Sequence, residues 1–267
     1  MKIAELQKAK DWANLADYIE AMVPAQRGKY IISWMESLNR TNRWERLLAV
    51  CDASIPQMEA KTGPKLGLPR LLRAQALTQL QRHGEARLAH AENGQLGFPD
   101  GHENACAEAR ADSDWNALAM HAEALAVLKP GLGLSLQGEA LCKLQKFSQA
   151  EPILEKAILL PGATAMAWAD LACCLVERQA YPEAIGAATQ GLVLEAKNME
   201  ALYNRGRAHF GLKQYKEGRA DLAAALATGQ ADPTLARNIQ NNIVLADQYL
   251  AHQEKKAQTP VRKPPRK

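Results

Sequence analysis

The chain has 267 residues, 47% hydrophobic but only 5% aromatic, and a formal net charge of +4. No run of about 18 apolar residues occurs, which excludes a membrane-spanning helix. The opening MKIAELQKAKDW lacks the apolar core of roughly 7 to 15 residues that a secretory signal needs, so the chain is expected to be soluble and cytoplasmic. Cys51, Cys106, Cys142, Cys173 and Cys174 are an odd number at helical core or groove positions and read as reduced thiols rather than a disulfide framework.

From the N-terminus onward, seven bulky rings recur: Trp12, Trp44, His83, Trp115, Phe147, Tyr181 and Tyr215, at intervals of 32, 39, 32, 32, 34 and 34 residues. Three residues after each stands Leu15, Leu47, Ala86, Leu118, Ala150, Ala184 or Gly218. That offset is close to one helical turn, so each ring opens a helix. β-branched runs of period two are missing, and no strand is predicted. KTGPKLGLP at 61–69 and GQLGFPDG at 94–101 read as longer inter-repeat loops flanking the unit of His83. The first accounts for the 39-residue interval as an insertion of about five residues.

The last three units, 131–164, 165–198 and 199–232, align without a gap. Their eighth positions are Gly138, Ala172 and Gly206, and their twenty-seventh are Ala157, Gly191 and Ala225, small residues that let two helices approach closely. Larger apolar residues lie between, at helical spacing, so each unit is a helical hairpin. After them, Asp232 and Pro233 suit the N-cap and first position of a helix. Leu235, Ile239, Ile243, Ala246 and Leu250 form a single apolar stripe, as a capping helix over about 233–254 requires. The final 13 residues hold Lys255, Lys256, Arg262, Lys263, Arg266 and Lys267 with no acid, leaving a body of 1–254 with about two net negative charges. With three prolines and few apolar residues, this basic tail of 255–267 is expected to be disordered.

The 34-residue pattern, closest in MEALYNRGRAHFGLKQYKEGRADLAAAL, resembles the tetratricopeptide repeat (TPR) family. The resemblance implies an all-α fold: a right-handed superhelical solenoid of antiparallel helix pairs, with about six full repeats and a truncated one in residues 1–27. Departures stand at Arg205, where the family has Leu, and at His209, where it has an aromatic residue. In that family the first helix of each hairpin lines a concave groove. Carried over, this assigns Glu139 and Lys143 from one unit, Met166, Ala169, Cys173, Val176 and Glu177 from the next, and Tyr203, Arg207 and Phe210 from the third. The family's carboxylate clamp is not predicted. Asn204 matches it, but Ala169, Cys173, Thr234 and Asn238 stand where Lys, Asn, Lys and Arg are needed.

No H-E-x-x-H arrangement, zinc-spaced cysteine pair, Walker loop, nucleophile elbow or dinucleotide fingerprint occurs, so neither metal, cofactor, enzyme activity nor small-molecule substrate is expected. The reading is a protein-interaction scaffold or adaptor with a peptide or protein partner in the groove. Two alternatives stay open: recruitment to nucleic acid or an anionic membrane through the basic tail, and a regulatory subunit of an enzyme complex.

Overall fold

A computed structural model describes residues 2–64, 66–98 and 100–258. The remaining residues, among them Arg262, Lys263, Arg266 and Lys267 of the basic tail, lie outside the described ones. Every element among the described residues is a helix. The chain divides into two compact units, one up to Leu125 and one from Ala126.

The first unit contains α1 (Lys2–Lys8), α2 (Trp12–Glu20), the short α3 (Pro24–Arg27) with a 3-10 turn, α4 (Ile31–Arg40), α5 (Trp44–Thr62), α6 (Gly67–Gln79), α7 (His83–Gln95) and α8 (Gly101–Ala111). Helix α9 (Trp115–Leu128) spans the division. The second unit continues with α10 (Pro130–Lys143), α11 (Phe147–Ala157), α12 (Ala165–Glu177), α13 (Tyr181–Leu194), α14 (Met199–Gly211), α15 (Tyr215–Ala227) and α16 (Pro233–Gln258). Each of the seven rings is the first residue of its helix, as the spacing predicts.

The same turn precedes every ring. Two positions before it, Lys10, Asn42, Gln81, Ser113, Gln145, Gln179 and Lys213 all adopt φ between 55° and 63°. The residue between donates its backbone N–H to a carbonyl five positions back: Asp11 to Leu6, Arg43 to Leu38, Arg82 to Leu77, Asp114 to Ala109, Lys146 to Leu141, Ala180 to Leu175 and Gln214 to His209, at 2.8 to 3.0 Å. This is the Schellman closure of a helix C-terminus, and it reverses the chain within three residues.

Small residues then set how closely the paired helices approach. A Cβ on Gly138 would stand 2.3 Å from Leu154 Cδ2, and one on Gly206 would stand 2.9 Å from Leu222 Cδ2. In the first unit the core runs through Leu15, Ile19, Met35, Leu38, Leu47 and Leu77, in the second through Leu154, Leu171, Leu175, Ala184 and Ala188. Helix α16 covers the end of the second unit. Asp232 Oδ1 caps it by accepting the backbone N–H groups of Thr234 and Leu235 at 2.8 and 3.0 Å. Its residues Ile239 and Ile243 pack with Leu222, and the ring of Tyr249 meets that of Tyr215 at a tilt of 46° with centroids 4.1 Å apart.

Two local expectations are corrected. The breaks expected at 61–69 and 94–101 are present but shorter: α5 persists to Thr62 and α6 starts at Gly67, while α7 persists to Gln95 and α8 starts at Gly101. The extra residues before His83 lengthen α5 to 19 residues, against 13 in α7, and carry Pro56 inside the helix. Good helix formers in QMEAKT extend the helix more readily than a loop would form. Likewise α16 continues through Gln258, so Lys255 and Lys256 stand on its last turn.

A left-handed non-glycine residue costs about 1 to 2 kcal/mol, so Gln179→Gly is expected to raise stability by roughly 0.5 to 1 kcal/mol. Ala224→Gly, on the exposed side of α15, should lower it by about as much. Gly206→Leu drives a side chain into Leu222 and should cost roughly 1 to 3 kcal/mol. Urea denaturation of the three variants checks all three signs.

Candidate functional site

In the second unit, α10, α12, α14 and the start of α16 enclose a cavity of about 520 Å³. Its wall includes Cys142 and Lys143 from α10, Asp170, Cys173 and Glu177 from α12, and Met199, Glu200, Tyr203, Asn204 and Arg207 from α14. Phe147, Asp232 and Leu235 complete the apolar and acidic parts. Four carboxylates (Asp170, Glu177, Glu200, Asp232) face two cationic side chains (Lys143, Arg207). A second hollow of about 360 Å³ is lined by Val176, Tyr181, Phe210, Gly211, Leu222 and Asn242.

Glu177 and Arg207 belong to both hollows. Arg207 Nη2 donates to Glu177 Oε1 at 2.5 Å, and its guanidinium lies 5.5 Å from the Tyr203 ring centroid. Burial opposes the charge of Arg207, but the bond to Glu177 and the neighbouring Tyr203 and Cys173 outweigh it and raise its pKa. Asn204, buried, donates Nδ2 to the Ala169 carbonyl at 3.1 Å. One of its two amide N–H donors thus joins α14 to α12.

Of the residues assigned to the groove, Lys143, Cys173, Glu177, Tyr203 and Arg207 line the first hollow, and Val176 and Phe210, with Glu177 and Arg207, line the second. Met166 is half-buried and lines neither, while Ala169 and Glu139 are buried among the packed helices. Phe210 is also wedged against Gly218, where an added Cβ would lie 2.4 Å from its ring, and meets Tyr215 edge to face at 5.5 Å. The sequence reading missed Asp170, Phe147, Met199, Asp232 and Leu235. For Asp232 and Leu235 the signal was the start of the capping helix itself, which closes one side of the cavity.

Among the described residues, no three His, Cys, Asp or Glu side chains gather closely enough to hold a metal ion, and no helix is long and apolar enough to cross a membrane. His83 Nδ1 pairs with Glu108 Oε2 at 2.6 Å, and that hydrogen bond raises the imidazole pKa. Burial lowers those of His90 and His121.

No family model matches the chain, and no curated protein does. Solved structures do. One is YrrB, described as a TPR protein with an unusual peptide-binding site: 17% identical, TM-score 0.51, covering 70% of this chain and 97% of that one. A tetratricopeptide repeat protein of Parabacteroides merdae is 13% identical with a TM-score of 0.55, over 85% of this chain and 93% of its own. The Cut9–Hcn1 hetero-tetramer of the APC/C is 14% identical with a TM-score of 0.57, over 91% of this chain and 47% of the matched one. Helical hairpins of this length, closed by one repeated turn and capped by a terminal helix, thus have the tetratricopeptide-repeat fold.

Proposed function

We propose that the protein is a non-catalytic, cytoplasmic interaction scaffold or adaptor that binds a peptide or a partner protein's segment in the groove of its second unit. The observation that carries this reading is the cavity of about 520 Å³, where Phe147, Met199, Tyr203 and Leu235 stand among an excess of carboxylates. A concave surface mixing apolar anchors with a few charged groups is what a peptide site requires. The acidic lining favours a segment carrying basic side chains beside its apolar ones. Two similar structures lend support: YrrB is described as having a peptide-binding site, and Naa15/Naa10, at TM-score 0.53 and 13% identity, is described bound to HypK-THB.

Tyr203 and Phe210 separate binding from folding. Tyr203→Ala is expected to weaken partner capture by more than about 1 kcal/mol if the ring is an anchor, with little change in thermal midpoint. Glu200→Lys should act in the same direction through charge. Phe210→Ala, which empties the contact with Gly218 and Tyr215, is expected to cost roughly 2 kcal/mol or more of stability. Quantitative pull-down and thermal melts on the same preparations measure both. Equal losses of binding and stability in Tyr203→Ala would place that ring in the core.

The basic tail offers the competing attachment. If it were the main one, capture would fall steeply with salt and vanish on deletion of 255–267, because a body with a small negative charge repels polyanions. Groove binding through apolar anchors predicts that most affinity survives both treatments. A truncated protein that captures nothing at low salt would move the function to the tail.

A further inference from the structure

Three of the cysteines converge at the floor of the groove. Cys142 on α10 and Cys173 on α12 line the cavity, and Cys174 lies behind Cys142, 1% exposed. The Sγ atoms of Cys142 and Cys174 are 3.5 Å apart, although the residues lie 32 positions apart in sequence and on different hairpins. Cys142 also donates its thiol toward the Asp170 carbonyl oxygen at 3.8 Å. With its own proton so directed, the Cys142 sulfur is left to accept the S–H of Cys174. Cys173 is adjacent to Cys174 on the same helix, so its side chain diverges by about 100°. A reagent entering the cavity can reach Cys142 at its wall, 8% exposed, with a second sulfur in contact with it.

We propose that Cys142 and Cys174 form an oxidisable dithiol site, at which a low-molecular-weight disulfide of the glutathione type entering the groove is reduced while an internal disulfide joins α10 to α12. The Cys142 thiolate attacks one sulfur of the small disulfide; that S–S bond breaks, and the first glutathione thiolate leaves with the proton Cys142 gave up. Cys174 then loses its proton and attacks the Cys142 sulfur. The mixed disulfide breaks, and the second glutathione leaves as a thiol. Two protein thiols are oxidised and one glutathione disulfide is reduced to two glutathiones. Closing the sulfurs from 3.5 Å to about 2.05 Å takes a movement of roughly 1.5 Å, within the reach of side-chain adjustment on two packed helices.

The contact with Cys174 and then burial raise the pKa of Cys142, so little thiolate is present at neutral pH. The pair rests reduced in a reducing compartment, and reaction is slow until a disulfide pool builds up. Once formed, the bond cross-links neighbouring repeats through their groove-lining helices and alters the cavity floor. The site stands whether or not a peptide occupies the groove.

The test uses the full-length reduced protein, incubated for hours with glutathione disulfide at pH about 8.5, where the thiolate fraction is larger. Remaining thiols are then blocked by alkylation. Expected are a loss of two hydrogens, a linked peptide pair containing Cys142 and Cys174, and a thermal midpoint raised by roughly 5 °C or more. A reducing dithiol should reverse all three. Cys173→Ser should still form the link. A Cys173–Cys174 or Cys142–Cys173 link, a glutathione adduct that never resolves, absence of reaction, or a link accompanied by a falling midpoint would each overturn the proposal. Because these readouts are made on the unaltered chain, they decide the matter even if Cys142→Ala or Cys174→Ala fails to fold.

Discussion

The backbone N–H of the residue just before each ring, bonded five residues back, is the interaction on which the rest depends. It appears at all seven hairpins with lengths from 2.8 to 3.0 Å. The bond requires a left-handed residue one position earlier, and that residue is present each time. With the turn so fixed, the phase of the second helix relative to the first has no freedom. The ring falls at the first position of the second helix, and the small residues of the second unit fall where its helices touch. A single hairpin of this size buries too little to be stable alone, so a constant phase is also what allows neighbours to stack.

This division explains what could be read in the sequence. The rings, the small or aliphatic residues three positions beyond and the capping stripe all obey helical periodicity, and from them the fold class and the helix starts follow. The left-handed residues carry no such mark. Only Asn42 belongs to a type that favours the conformation, and the others are Lys, Gln and Ser, held there by the bond that closes the turn. The glycines and prolines of 61–69 and 94–101 marked real breaks, after Thr62 and after Gln95, but not their extent, because punctuating residues announce a break without saying how far a preceding helix will run. Of the residues that the resemblance assigned to a groove, Tyr203, Arg207 and Glu177 line the hollows. Ala169 and Glu139 are buried, because their exposure depends on how closely adjacent helices lie.

The departures from the repeat pattern have their own physics. Arg205, in place of an aliphatic residue, makes a two-pronged pair with Asp221 on α15 at 2.8 and 2.7 Å, and that hydrogen bond raises its pKa. His209, in place of an aromatic residue, sets Nε2 3.7 Å from the same carboxylate and Nδ1 2.6 Å from Gln214 Oε1. The hairpin of α14 and α15 thus exchanges part of its apolar seam for a polar network. Such a network favours one register, since sliding either helix would strand the charges.

Polar ties of the same kind fix the groove. Asn204 holds α14 to α12 through a backbone carbonyl, and Arg207 and Glu177 join the same two helices where the hollows meet. Groups restrained in this way lose little freedom when a ligand arrives, so less of the interaction energy is consumed in ordering them. In the proposed groove, the side chains left for recognition are those that these ties do not occupy: Tyr203, Phe147 and Leu235 as apolar contacts, with Glu200 and Lys143 at the charged margin. Specificity in the proposed groove resides in that short set. The closeness of α10 to α12 beneath it also brings two sulfurs of different repeats into contact, so the packing that shapes the cavity sets the chemistry open to its floor.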